Sequence, residues 1–182
     1  MLLSLRTTTD QGHDDIRAGG IATKFGYSID SFPWRPRLGM QADYFSGGQG
    51  GNGKTVNSFN PLFPRGGYFS EPGLQAFDNL IDVYPSVTLN PENTVAVMAG
   101  VDFAWRANES DAVYITPNVP MPGTSTAHGR YIGTNFVLQA SWTATRNASL
   151  NGSYVHLKAG PAITNANGKD IDYVALWTSL KL

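Results

Sequence analysis

The sequence has 182 residues and balances 14 acidic against 13 basic side chains, which gives a net charge of −1 at pH 7. This balance gives no electrostatic argument for a nucleic-acid partner, and the absence of cysteine excludes disulfides and thiolate metal sites. With 20 glycines, 11 prolines and only 15% charged residues, the composition favours many strands separated by turns.

The start of the chain carries no recognisable targeting segment. Residues 1–10 lack the basic region and the long apolar region of a signal peptide, and we expect any export signal to lie outside this sequence. The sequence also contains no apolar run of about 18 residues, so it predicts no transmembrane helix.

Segments in which apolar and polar residues alternate recur along the whole chain, and this periodicity is typical of β-strands. They predict an all-β, antiparallel fold with eight strands, near 2–8, 16–30, 37–46, 79–90, 94–107, 130–145, 149–159 and 171–182. The fifth segment is the clearest, with an apolar face formed by Val95, Val97, Ala99, Val101, Phe103 and Trp105.

Residues 48–55 read GQGGNGKT and match the phosphate-binding pattern G-x-x-x-x-G-K-[ST]. A nucleotide site of this kind requires a helix directly after the motif. Residues 56–67 instead contain two prolines and two glycines, which disfavour a helix. We therefore interpret residues 48–55 as part of a flexible loop and predict that the chain binds no nucleotide.

The connections between the predicted strands are alternately short and long. The short ones are 31–36, 91–93 and 146–148, and the long ones are 9–15, 47–78, 108–129 and 160–170. Long strands with short turns on one side and long loops on the other are typical of outer-membrane barrels, in which about ten tilted residues cross the hydrocarbon. We expect a transmembrane β-barrel, with residues 1–182 forming either a single barrel domain or the C-terminal portion of one.

A soluble, lipocalin-like barrel is the alternative to this membrane fold. Its outward face would be rich in lysine and glutamate. The polar strand faces of this chain carry mainly threonine, serine, asparagine, glutamine and glycine, which suit a water-filled lumen better.

Several blocks of the sequence resemble the alginate-export family of outer-membrane proteins. They are WRPRLGMQADY (34–44), SGG (46–48), FNPLFPRGGYFSE (59–71), NLID (79–82), RYIG (130–133) and DYVALW (172–177). The resemblance covers most of residues 30–182, and the block 59–71 is its most specific part. It implies a Gram-negative outer-membrane barrel of about eighteen strands whose lumen passes an anionic polysaccharide, with the last eight strands in this chain.

The last predicted strand alternates up to Leu182 and resembles the C-terminal signal of outer-membrane barrels, which usually end in phenylalanine. The expected partners are therefore outer-membrane lipid, the barrel-assembly machinery and the anionic polysaccharide or a small anionic solute. We predict no nucleic-acid partner and no cofactor.

The family resemblance also assigns a role to the cations on or beside the polar strand faces, which would attract uronate carboxylates. They are Lys24, Arg37, Arg106, Arg130 and Lys181. The alternative is that these cations pair with nearby aspartates and merely neutralise the wall. Those aspartates are Asp43, Asp78, Asp82 and Asp102. In the first interpretation Arg37, Arg106 and Arg130 would be the leading contacts. Asp82 and Asp102 would also belong to the substrate-binding surface, where the aspartates would temper the attraction and let the polymer leave.

A turn at 91–93 would pair Asn90 with Thr94, and this register places Asp82 opposite Asp102 and Asp78 opposite Arg106. Two carboxylates about 5 Å apart could serve a retaining glycosidase, which gives the alternative function of an outer-membrane barrel hydrolase. We favour a pair neutralised by a neighbouring cation or by a bound proton.

The three histidines, His13, His128 and His156, lie in or near different loops without metal-ligand spacing, so we predict no metal site. The favoured function is that of a channel segment without chemistry of its own. Besides the hydrolase, the remaining alternative is a small ligand-binding or structural barrel that closes alone with eight strands, whose interior side chains would fill it.

Overall fold

The structure is a computed structural model that describes residues 2–3, 16–48, 56–61 and 67–181. Most of the predicted strand 2–8, His13, residues 49–55 of the nucleotide-like motif and Leu182 lie outside the described residues. The elements follow one another as β1 (Leu2–Leu3), β2 (Ala18–Ser28), β3 (Arg37–Phe45), β4 (Leu80–Glu92), β5 (Val95–Arg106), β6 (Tyr114–Thr116), β7 (Val119–Pro120), β8 (Tyr131–Thr145), β9 (Ala148–Ala159), α1 (Pro161–Thr164) and β10 (Ile171–Leu180).

Seven long strands and the two-residue β1 form one antiparallel sheet in the order β1-β2-β3-β4-β5-β8-β9-β10. Each long strand pairs with its neighbours along the chain, which confirms the predicted all-β antiparallel fold. The sheet is open, since β10 pairs with neither β1 nor β2 within the described residues. It forms part of a wall rather than a closed barrel.

The long connections contain short elements that the sequence did not predict. β6 and β7 form a separate two-stranded hairpin inside the 108–129 loop. The helix α1 begins at Pro161, whose fixed φ and missing N–H suit the first helical position. No helix of the described residues is long and apolar enough to span a membrane.

In a soluble protein the exposed face of a sheet is polar, whereas in this sheet the exposed face is apolar. The face that carries Leu38, Val174 and Leu176, here called the outward face, is apolar and open, and Val174 and Leu176 are 69% and 77% exposed. The opposite, inward face is polar and is partly covered by loops. An apolar surface directed away from the protein is typical of strands that contact lipid, and it argues against the lipocalin-like alternative.

The predicted turn at 91–93 and the register that follows from it are wrong. Strand β4 continues through Pro91 to Glu92, and the pairing shifts between Leu89 and Glu92. The turn therefore shrinks to residues 93–94. A proline lacks the N–H that a regular ladder needs, so it is tolerated at such an irregularity.

The shifted register changes which residues oppose each other across β4 and β5. Leu80 pairs with Arg106, and Asp82 pairs with Ala104 instead of with Asp102. Asp82 and Asp102 remain on the same inward face, but as diagonal neighbours whose Cα atoms are about 7–8 Å apart in such a ladder. Asp78 precedes β4 and is not opposite Arg106.

Candidate channel-lining surface

The inward face divides into two regions along the same strands. Near the long loops, Asp43 of β3 pairs with Asp82 of β4, and near the short turns Arg37 pairs with Thr88. Between them Gln41 pairs with Tyr84. Because inward residues recur at every second position, alternation places all of these side chains on one face. Their order along the strands decides which end each of them occupies.

Three carboxylates at the loop end form the acidic patch, which consists of Asp43, Asp82 and Asp102. All three are buried, with exposures of 4%, 0% and 1%. The Gln41 amide donates to Asp43 Oδ2 at 3.1 Å, and the Asn135 amide donates to Asp102 Oδ2 at 3.3 Å. Among the described residues, Asp82 has no hydrogen-bond partner for either oxygen.

A loop segment, residues 67–79, covers the acidic patch and is called here the in-folded segment. Its Leu74 packs against Tyr84, Val137 and Val155 on the inward face. Its Glu71 reaches further and lines the same hollow as Trp177 near the turn end of the sheet. The segment therefore runs along the inward face rather than away from the sheet.

Aromatic stacking holds the start of the in-folded segment against the sheet. Phe69 and Phe77 contact Phe45 of β3, with ring centroids 6.5 and 5.2 Å away. The neighbouring Tyr68 ring lies 4.8 Å from Phe69. Burial raises the pKa of the Tyr68 hydroxyl, and the charge of the Asp43 carboxylate, which this hydroxyl faces, raises it further. The hydroxyl therefore stays protonated and can donate a hydrogen bond.

The turn end of the inward face holds the basic groove, a cavity of about 240 Å³ whose lining includes Lys24, Arg37, Gln41, Tyr84, Ser86 and Thr88. Lys24 and Arg37 are exposed. The only hydrogen bond that the Arg37 guanidinium makes within the described residues is a long one, 3.4 Å to Ser28 Oγ. Its remaining donors are available to a ligand.

Arg106 lies on the same inward face but is fully buried, with no exposed surface. Its guanidinium donates to the carbonyls of Asp111, Thr124 and Ala127 at 2.8–3.0 Å. It also donates to the carbonyl of Gly129. These carbonyls all belong to the 108–129 loop. The structure therefore places Arg106 as the organiser of that loop and leaves none of its surface for a substrate.

The other two predicted cations are exposed at the ends of strands. Arg130 precedes β8 and donates to the carbonyls of Arg106 at 2.8 Å and Ala107 at 3.2 Å. Lys181 follows β10, where its backbone N–H donates to Asn147 at 2.9 Å. The structure does not bring the five predicted cations together, because Lys24 and Arg37 share a groove while Arg106, Arg130 and Lys181 lie elsewhere.

Asn79 connects the two long loops above the sheet. Its buried amide donates to the carbonyls of Asn108 and Ala112 at 2.9 Å, and its Oδ1 accepts from the Asn108 N–H at 2.6 Å. Its φ of 52° is a left-handed conformation that asparagine adopts more readily than most residues. The in-folded segment and the 108–129 loop are thus fixed to each other at one residue.

Asp78, the residue before Asn79, is 2% exposed. The Asn118 N–H points toward its carboxylate without completing a hydrogen bond. Burial, with a smaller contribution from the charge of Asp111, raises the pKa of Asp78 to about 6.

The outward face carries a polar group near the loop end. Asp172 Oδ1 accepts a hydrogen bond from the Tyr154 hydroxyl at 2.7 Å and lies 3.0 Å from His156 Nδ1. Below it, small side chains on β5 leave an apolar hollow of about 600 Å³ between Val87 and Phe136. The described residues contain no cluster of three or more acidic or histidine side chains arranged to bind a metal.

Sequence reasoning missed Gln75 and Asn135 beside the acidic patch, the in-folded segment and the structural role of Arg106. The inward position of Asn135 follows from its strand alternation, so the sequence held that signal. The position of Gln75 depends on loop docking, for which the sequence holds no periodic signal.

The family model described as "Alginate export" matches residues 5–176 of the chain. The match confirms the resemblance drawn from the blocks between residues 30 and 182. No curated protein matches the chain.

Proposed function

We propose, because this chain belongs to the alginate-export family of outer-membrane proteins, that its sheet forms part of the wall of a channel through which an anionic polysaccharide passes. The observation that carries the proposal is the division of the sheet into an open apolar face and a polar inward face with an exposed basic groove. The outward face contacts outer-membrane lipid, and the inward face borders the aqueous path.

The open edges of the sheet support a larger barrel. An unpaired edge strand in hydrocarbon leaves backbone N–H and C=O groups without partners, at a cost of several kcal/mol for each group. Further strands that pair with β10 and with the β1–β2 edge remove that cost. The alternating apolar side chains of β10 also provide the sequence pattern that the barrel-assembly machinery would engage.

Lys24 and Arg37 are the leading contacts for the polymer, with Arg130 and Lys181 as further exposed cations at the two ends of the path. A polyanion that moves needs many weak sites, because one tight site would trap it. Arginine stays charged throughout the pH range of the envelope and can hold a carboxylate through two parallel hydrogen bonds. Exposure to water keeps each such contact weak.

Three residues predicted as substrate contacts are not carried into this proposal. Arg106 has its donors engaged by loop carbonyls, and Asp82 and Asp102 are covered by the in-folded segment. The hydrolase alternative required Asp82 and Asp102 to face each other at an accessible surface. They are diagonal neighbours and buried, so no observation favours that chemistry.

The proposal is tested with the full-length protein in planar bilayers, where anion-over-cation selectivity and block by a polyuronate are measured. Replacing Lys24→Gln and Arg37→Gln together is expected to reduce both selectivity and block. The control removes two other cations, Arg146→Gln in a short turn and Lys158→Gln on the outward face, and should leave both unchanged. If the two double variants behave alike, the basic groove does not contact the polymer.

A further inference from the structure

The turn end of the inward face holds a second hollow beside the basic groove. This tryptophan hollow has a volume of about 140 Å³, and its lining includes Glu71, Met98, Gln139, Ser141, Asn151 and Trp177. Trp177 pairs with Asn151 and Asn151 pairs with Ser141, so these three side chains form one row across β10, β9 and β8. The next residue of the row is Ala96 of β5, whose small side chain leaves the space open.

The polar groups of the tryptophan hollow have unused hydrogen-bonding capacity. Gln139 and Ser141 are half-buried, and their side chains make no hydrogen bond within the described part of the chain. The Asn151 amide makes only a long one, 3.4 Å to Ser149 Oγ. Each amide offers donors and an acceptor, and a hydroxyl offers both as well. This set suits a ligand with several neighbouring hydroxyl groups.

Trp177 adds an apolar surface to this polar hollow and is 36% exposed. Trp142, the neighbour of Ser141 on β8, is also exposed, but it lies on the outward face, where contact with lipid accounts for it. Lipid does not account for an exposed ring on the polar side. An aromatic ring beside a few convergent polar groups is typical of a ligand site. The C–H face of a sugar ring can pack on such a ring while its hydroxyls reach the polar groups.

We propose that the tryptophan hollow is a subsite that holds one sugar ring of the passing polysaccharide through its apolar face and its hydroxyls. This inference rests on the proposed function and adds a contact that does not depend on the charge of the polymer. The lining contains no basic side chain, and the exposed carboxylate of Glu71 repels a second carboxylate while it accepts hydrogen bonds from hydroxyls.

The tryptophan hollow adjoins the basic groove, because Met98 lines both. A polyuronate can therefore direct carboxylates toward Lys24 and Arg37 and present a ring to Trp177. Small inorganic anions would meet only the basic groove. The two hollows together would select for a charged carbohydrate rather than for negative charge alone.

The test uses two oligosaccharides of equal length, an oligouronate and its carboxyl-reduced, neutral counterpart. Each is added to the full-length protein in detergent micelles, and binding is measured by calorimetry. The neutral oligomer is expected to bind saturably in the millimolar range, because it retains the apolar face and the hydroxyls that the subsite holds. Trp177→Leu should weaken this binding at least about fivefold. Trp142→Leu, which removes an exposed tryptophan from the outward face, is the matched control and should bind as the native protein does.

Retained strand circular dichroism and heat-modifiable gel migration show that each variant is folded. If Trp177→Leu fails these checks, Gln139→Leu should still weaken binding of the neutral oligomer severalfold. Absence of saturable binding of the neutral oligomer would overturn the subsite. Equal affinities in Trp177→Leu and Trp142→Leu would overturn it as well.

The same titrations separate the subsite from the basic groove. Lys24→Gln combined with Arg37→Gln should weaken binding of the oligouronate and leave binding of the neutral oligomer unchanged. Weaker oligouronate binding in this double variant, without any binding of the neutral oligomer, would overturn the subsite and leave the proposed function standing. Unchanged oligouronate binding in the double variant, with weaker binding of both oligomers in Trp177→Leu, would retain the subsite and remove the basic groove from the path.

Discussion

The acidic patch and the basic groove occupy the same face of the same strands, yet one is sealed and the other is open. Asp82 on β4 has no exposed surface, whereas Lys24 and Arg37 are exposed two and six residue pairs closer to the short turns. Alternation along the strand places both sets on the inward face. The difference arises from the in-folded segment, which covers the acidic patch and leaves Lys24 and Arg37 exposed.

This comparison shows that an inward position and access to solvent are separate properties. Arg106 and Arg37 have the same side chain and the same facing, but the first is saturated by loop carbonyls and the second retains free donors. Burial decides whether the donors of a charged residue are filled by the fold or remain exposed on the inward face.

The largest effect is expected when the same substitution is made in both regions. Arg106→Gln leaves several buried carbonyls without a donor and should lower the free energy of unfolding by about 4 kcal/mol. Arg37→Gln should change it by less than about 0.5 kcal/mol. Urea unfolding of the full-length protein in lipid vesicles measures both, and similar values for the two variants would erase the distinction between them.

Asn79→Ala should lower the free energy of unfolding by about 3 kcal/mol, because it removes three hydrogen bonds that join the two loops and places alanine in a left-handed conformation. Asn79→Gly relieves the backbone but not the lost hydrogen bonds, so it should cost about 1 kcal/mol less. The same unfolding measurement applies. Wild-type stability in Asn79→Ala would show that the loops are held elsewhere.

Asp78→Asn should stabilise the protein by about 2 kcal/mol at pH 7.5. The folded-state pKa of Asp78 is about 6, above the usual 3.8, so the folded protein holds this proton more tightly than the unfolded chain. Wild-type stability therefore falls as the pH rises from about 4 to 6 and is constant above that range. The advantage of the variant should vanish below about pH 4. An advantage that does not change with pH would exclude this cause, and Asp30→Asn serves as the exposed control.

Among the variants that are expected to lower stability measurably, the smallest effect is expected for Leu74→Ala in the in-folded segment. Leu74 is only partly buried, so the cost should be about 1 kcal/mol, yet the contact with Tyr84, Val137 and Val155 that docks the segment is lost. Amide hydrogen exchange should accelerate in residues 67–79 and remain unchanged in β8. Unchanged exchange in the segment would mean that the aromatic contacts with Phe45 suffice to hold it.

The sequence predicts the fold well where a local pattern governs it. It fails where the structure depends on contacts that no local pattern records. Period-two alternation identifies β5 and its apolar face, because side chains on successive residues point to opposite sides. The hairpin register was missed because Pro91 continues the strand through an irregularity instead of ending it. This single shift in the pairing of β4 with β5 changes the residue that lies opposite Asp82.

The candidate site was predictable only in its residue types. The positions of Lys24 and Arg37 on the polar strand face follow from alternation, while their contact with a substrate stays a prediction. The role of Arg106 could not be predicted, because its acceptors are backbone carbonyls from residues 111 to 129 whose positions no side-chain pattern records. The covering of Asp82 depends likewise on the docking of residues 67–79, a loop without a periodic side-chain pattern.

The most direct test of the account is the accessibility of two adjacent residues on opposite faces of β10. The sequence has no cysteine, so Leu176→Cys and Trp177→Cys each introduce a single thiol into the full-length protein in lipid vesicles. A membrane-impermeant maleimide should label Cys at 177 through the aqueous path, whereas a fluorophore at 176 should be quenched by nitroxide-bearing lipid and should resist the maleimide. Equal reaction of both thiols with the water-soluble reagent, or lipid quenching at 177, would contradict a wall with lipid on one side and a polar path on the other.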